Sequence, residues 1–249
     1  MPLSPRSILL LPGLACDQAL YQHQAAPLAA RGRVHVSTTH TREPTLPAMA
    51  SRLLAEHPGR HVLIGCSMGG MLAMEMHRQA PERIEAIALL GTTARPDTPE
   101  LIALRTQACE LFAAGRMDEV LRANVLFAFH PHGARRPGLV QAYLDMIGRA
   151  GAQQLIAQNR AVMARIDSRP HLSAMRCPVL VACGEADQLT PPEVSREMHA
   201  LLPRSRLEIV PGAGHMLTME QPERVSQLLL DWLHTLPSPP AHTEGEPAA

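Results

Sequence analysis

The chain has 249 residues, 46% of them apolar, and its 23 basic and 23 acidic side chains cancel. That length suits one large α/β domain, or a core with a smaller insert, and the balanced charge argues against nucleic acid or an anionic membrane as partner. Every basic residue is arginine, which excludes a Schiff base on lysine, and no apolar run approaches the roughly 20 residues that span a bilayer.

Short apolar runs alternate with longer segments of helical period, the pattern of a parallel sheet covered by helices. The runs predict strands at Ser7–Leu11, Arg33–Thr38, His61–Cys66, Ile84–Leu90, Pro178–Cys183 and Arg206–Val210. Helices are predicted at Ala19–Ala30, Thr45–His57, Met68–Ala80, Pro192–Leu202 and Pro222–Leu236, the last two opening on proline, where a helix tolerates it. The first run, with Arg6 before it and Cys16 after it, imitates a lipoprotein signal. It is short and broken by Pro12-Gly13, so a core strand explains it better.

Between the fourth and fifth strands the chain is too long for a simple crossover and reads helical at Thr98–Ala114, Met117–Phe127, Leu139–Gly148 and Gly151–Ala164. This divides the chain into a core (1–92 and 176–236), an inserted helical cap (93–175) and a polar, proline-rich tail (237–249) expected to be disordered. Four of the six aromatic residues fall in the insert. They are expected to form its small core, with Phe127, Phe129 and Tyr143 as candidates to face an apolar substrate pocket. At its end, Arg160, Arg165 and Arg169 cluster. Arg160 is a candidate ligand for a substrate carboxylate, against the alternative that these arginines pair with Asp167.

Five cysteines, odd in number and without C-x-x-C spacing, argue against a disulfide framework or a zinc site and favour the reducing cytoplasm. His130 and His132 lack further ligands nearby, so no metal is expected there.

The chemistry gathers at strand ends. Gly65-Cys66-Ser67-Met68-Gly69-Gly70 closes the third strand with the G-x-S-x-G spacing of a sharp strand-to-helix turn that exposes a serine hydroxyl. A serine needs a base, and the base an orienting partner. Pro211-Gly212-Ala213-Gly214-His215 follows the last strand and offers His215 as base. Asp187, in Gly184-Glu185-Ala186-Asp187 after the fifth strand, is the favoured acid, ahead of Glu185 and Asp97. The N–H of Met68, at a helix start, and that of Leu14, after Pro12-Gly13, are the candidate donors to an oxyanion. The G-x-G-x-x-G and Walker spacings of phosphate-binding loops are absent.

Together, Leu10-Leu11-Pro12-Gly13-Leu14, the elbow at Ser67, Gly184–Asp187 and Pro211–His215 resemble the α/β-hydrolase-fold serine hydrolases, of the small bacterial type with a helical cap. The resemblance implies an α/β-hydrolase fold, a mostly parallel sheet of about six strands flanked by helices, with the inserted helical cap. It also implies a Ser67–Asp187–His215 triad that needs no cofactor. Carboxylic ester hydrolysis on a small to medium substrate is the expected activity. Enol-lactone or thioester hydrolysis, acyl transfer, or a ligand receptor with vestigial hydrolysis are the alternatives. Many members carry His-Gly where this chain has Pro12-Gly13, and Cys66 within the elbow raises the expectation of a site sensitive to thiol oxidation.

Overall fold

The computed structural model describes residues 6–237. Its six strands are β1 (Arg6–Leu11), β2 (Gly32–Val36), β3 (His61–Cys66), β4 (Ile84–Leu90), β5 (Val179–Gly184) and β6 (Ser205–Val210). They form one fully parallel sheet in the order β2-β1-β3-β4-β5-β6. β3 and β5 are buried along their whole length, whereas β2 and β6, at the two edges, are only partly buried. Those central strands therefore read as unbroken apolar runs, as strands covered on both faces do.

Alternate strand residues serve two cores. Ile8, Leu10, Val62 and Ile64 pack beneath Leu28 and the Val225–Leu233 stripe, while Leu9, Leu11, Leu63 and Leu89 meet Met49, Leu53, Leu72 and Met76. The core helices are α1 (Ala25–Ala29), α2 (Leu46–Glu56) and α3 (Met68–Gln79), followed after the insert by α8 (Pro192–Leu201), α9 (Leu217–Glu220) and α10 (Pro222–His234). The insert holds α4 (Pro99–Ala113), α5 (Met117–Ala128), α6 (Pro137–Met163) and α7 (Arg169–Leu172). Thr45 and Thr98 cap α2 and α4 by accepting the amides of Ala48 and Leu101, which is why both helices begin one residue later than their apolar pattern suggests.

One helical expectation is corrected. The single helix predicted over Ala19–Ala30 is a 3-10 turn at Gln18–Tyr21, capped by Asp17, followed by the short α1. Pro27 has no N–H to continue a helix entering from His23, so it is accommodated only in the first turn of a new one. The two helices predicted at Leu139–Gly148 and Gly151–Ala164 are found as the two halves of α6, separated at Gly151, whose φ of 76° and ψ of 169° lie outside the helical region. The short helices α7 and α9 have too few residues to show a period in the sequence. The expectation of a disordered tail falls, beyond Pro237, on residues outside those described.

A buried ionic cluster ties the insert to the core. Asp97, after β4, accepts Arg105 Nε of α4 at 2.8 Å and Arg165 Nη2, past the end of α6, at 2.7 Å, and its side chain is 1% exposed. Arg105 also donates to Asn159 Oδ1 at 2.8 Å. Two cations and an amide thus satisfy the carboxylate's surroundings, the condition under which a buried charge is tolerated. Among the described residues, no helix is long and apolar enough to cross a membrane.

Candidate active site

The sheet order reverses at β1, which has β2 on one side and β3 on the other, and a crevice at such a switch point opens beyond the carboxyl ends of the strands. Ser67 follows β3 there. Its φ of 54° and ψ of −118° lie where a non-glycine residue is strained, and the turn is pinned because Ser67 N donates to Leu90 O at 2.9 Å and Thr92 Oγ1 donates to Ser67 O at 2.7 Å. The elbow glycines are steric necessities: a Cβ at Gly65 would strike the Gly69 carbonyl, and one at Gly69 would strike that of Leu11.

The loops after β5 and β6 deliver the other two groups. His215 Nε2 lies 2.9 Å from Ser67 Oγ, and His215 Nδ1 lies 2.9 Å from Asp187 Oδ2 and 3.1 Å from Oδ1. With an ionised Asp187 accepting from Nδ1–H, Nε2 is left as the acceptor facing the serine hydroxyl. Asp187 also accepts the amides of Leu189 and Thr190 on Oδ1, each at 2.9 Å, and the Thr190 hydroxyl on Oδ2 at 2.8 Å. Burial would raise this carboxyl, but the charge and hydrogen bond of His215, with those from Thr190, outweigh it and hold Asp187 below the usual carboxylate range. Thr190 escaped the sequence reading; its trace was the Asp-x-x-Thr spacing before Pro191, where an aspartate closes a turn on its own backbone.

The other carboxylates weighed as triad acid are occupied elsewhere. Glu185 accepts the Gly212 amide at 2.6 Å and is half exposed, and Asp97 is held by its two arginines. The two candidate oxyanion amides lie on the loops after β1 and β3. Met68 opens α3, and Leu14 lies in the turn from Gly13 to Cys16, closed by Cys16 N donating to Gly13 O at 3.1 Å. Neither N–H has an acceptor among the described residues, so both are free for a ligand oxygen.

The insert's candidates separate. Phe129 is fully buried and meets Tyr143 edge to face at 5.2 Å, and both belong to the core cluster that includes Ala15, Cys16 and Met216 at the edge of the site. Phe127 instead is 49% exposed at the end of α5, because it stands two positions, about 200° around the helix, from Val125 in the buried Leu121–Val125–Ala128 stripe. Arg160 is also exposed: it stands two positions, about 200° around α6, from the buried Gln158 that faces the core. Arg165 and Arg169 pair with Asp97 and Asp167. The expected oxidation of Cys66 is also corrected, since the thiol is 2% exposed and burial pushes it well above the ordinary value, away from the reactive thiolate.

Glu220, on α9, is a further carboxylate at the site that the sequence reading overlooked. It accepts Gly214 N at 2.7 Å, beside His215, and His130 N at 2.8 Å, at the break after α5, so it bridges the histidine loop to the insert. Burial dominates, helped by the nearby Asp187 charge, and pushes its carboxyl up to about 7 despite these two amide donors.

The α/β hydrolase fold family matches residues 31–222, most of the chain, and the chain belongs to that family. A pimeloyl-[acyl-carrier protein] methyl ester esterase of Neisseria meningitidis is 23% identical over 250 residues, covering 94% of this chain and 95% of that protein. A thermophilic esterase from Thermogutta terrifontis superposes with a TM-score of 0.85 at 29% identity, covering 93% of this chain and 90% of that one. The enol-lactonase from Burkholderia xenovorans LB400 shares the fold, with a TM-score of 0.83 at 23% identity and coverage of 93% and 92%.

Proposed function

We propose that this α/β-fold hydrolase cleaves a carboxylic ester of a small to medium substrate through an acyl-enzyme on Ser67, with the α4–α7 insert as the cap over the site. The observation that carries this reading is the chain of contacts Asp187–His215–Ser67, at 2.9 Å in each link, beside two amides with no acceptor among the described residues. The ester-cleaving names of the Neisseria and Thermogutta relatives favour the same class of reaction.

His215 Nε2 takes the Ser67 hydroxyl proton as Oγ attacks the ester carbonyl. Asp187 stays ionised and steadies the imidazolium through Nδ1–H. The Leu14 and Met68 amides receive the tetrahedral oxyanion, each lowering the barrier by about 3 kcal/mol. His215 then returns the proton to the departing alcohol, and a water deprotonated at the same Nε2 releases the acid. No step calls for a cofactor. Five unpaired thiols suit work in the cytoplasm.

Initial rates on a panel of p-nitrophenyl esters, acyl-coenzyme A thioesters and lactones, for wild type and Ser67→Ala, test the reading. It predicts simple esters turned over at least about 1,000-fold faster by wild type. Turnover of thioesters or lactones alone would reassign the leaving group, and equal rates for both proteins would overturn hydrolysis.

A further inference from the structure

The turn that presents Leu14 N–H is held in an unfavourable shape by a residue of the insert. Gly13 to Cys16 is a four-residue turn with Ala15 in third place, and Ala15 has a φ of 55°. Among the described residues only Ala15 and Ser67 are non-glycine residues with positive φ, so Leu14, in second place, is on the negative side. That combination is a type II turn, whose third position calls for glycine. An alanine there is strained, and rotating the Leu14–Ala15 peptide into the common type I form would relieve it.

What opposes the rotation is Gln158 of α6, fully buried. Its Oε1 accepts Ala15 N–H, the donor of the strained peptide, at 2.5 Å, and its Nε2 donates to His40 O at 2.9 Å. His40, in the turn after β2, sends Nε2 to Cys16 O at 2.9 Å, so turn, insert and His40 close one ring of hydrogen bonds. Burial holds the His40 ring below its ordinary value and so neutral, consistent with a single N–H at Nε2. A second tie, Arg149 Nε to Asp17 Oδ2 at 2.8 Å, fastens the same loop to α6.

We propose that Gln158 is a positioning residue for the oxyanion amide: by accepting Ala15 N–H it selects the type II turn, and so makes seating of the insert a condition of catalysis. The inference rests on the hydrolase reading given above. Loss of Gln158 lets the Leu14–Ala15 peptide rotate, and because Leu14 is common to both peptides and Cys16 N closes the turn on Gly13 O, the adjoining Gly13–Leu14 peptide, which carries the donor, shifts with it. Because that donor acts on the transition state more than on bound ester, the loss falls on kcat and spares KM.

The test uses p-nitrophenyl acetate kinetics and the rate of fluorophosphonate labelling at Ser67. Gln158→Leu is expected to lower kcat and the labelling rate about 10- to 100-fold, with KM within about threefold. Adding Ala15→Gly to Gln158→Leu makes the positive φ cost-free and is expected to recover at least about fivefold of the loss. Gln158→Met, which also lacks the acceptor for Ala15 N–H but keeps the unbranched shape, serves with the same expectations if the leucine variant does not fold. A loss within about threefold of wild type in the folded variant, or a loss that Ala15→Gly does not recover, overturns the proposal. If wild type itself neither turns over ester faster than Ser67→Ala nor labels, the hydrolase reading falls and this one with it. If wild type does both, only the role of Gln158 is at stake.

Discussion

Glu220→Gln separates the charge of the buried bridge from its shape. In the folded protein the carboxyl is pushed up to about 7, against an ordinary value of 4.5. A carboxyl raised by folding contributes stability that is whole below the unfolded value and is lost as pH rises through the folded one. Between about pH 5 and pH 8 the two titrations differ by close to 1.8 pK units of proton uptake, or about 2.5 kcal/mol of stability forfeited by wild type. Glutamine does not titrate, but its NH₂ must face one of the two amides of Gly214 and His130 that the carboxylate accepts. That mismatch costs about 1–3 kcal/mol at every pH. Wild type is therefore expected to be the more stable protein near pH 5, with its advantage shrinking by about 2.5 kcal/mol, or reversing, near pH 8. Urea unfolding under reducing conditions, followed by the single, buried Trp232, reads this directly. Taking the difference between the two proteins cancels the opposite contributions of His40, His57, His61 and His77, whose burial holds them below their ordinary values. A gap that stays constant or widens with rising pH would refute the claim that Glu220 is buried at a cost to its charge.

Asp187→Asn preserves shape but offers His215 Nδ1 an amide, favouring the wrong tautomer; kcat should fall about 10,000-fold with an unchanged circular dichroism spectrum, and a loss under about tenfold would move the acid elsewhere. Asp97→Ala leaves Arg105 and Arg165 without their carboxylate and should cost about 3–5 kcal/mol in urea unfolding, while Ser67 still labels wherever the variant is folded. Iodoacetamide near neutral pH should leave Cys66 unmodified, read by peptide mass spectrometry; fast alkylation there would contradict its burial.

The sheet was legible because β3 and β5 are buried on both faces and so must be continuously apolar, and the predicted strands lie within two residues of the observed ones. The Ser67, Asp187 and His215 positions were legible because elbow, acid loop and histidine loop each need residues of a given size at fixed spacing. Gln158 and Glu220 were not. Their roles depend on contacts with residues far along the chain: Gln158 reaches Ala15 across 143 positions and Glu220 reaches His130 across 90. Nothing local distinguishes such a glutamine from a solvated one on a helix face. The exposure of Phe127 and Arg160 was hidden for a related reason, since the rotation of α5 and α6 decides which side faces the core, and a helix with few aromatic residues and scattered alanines leaves that rotation poorly marked.

The central claim is that Ser67 is the nucleophile, activated by His215. Treating the protein with a fluorophosphonate and mapping the adduct by peptide mass spectrometry tests it most directly. A single adduct on Ser67, absent from Ser67→Ala and slowed by orders of magnitude in His215→Ala, is the predicted result. No adduct on wild type, or the same adduct in Ser67→Ala, would contradict it.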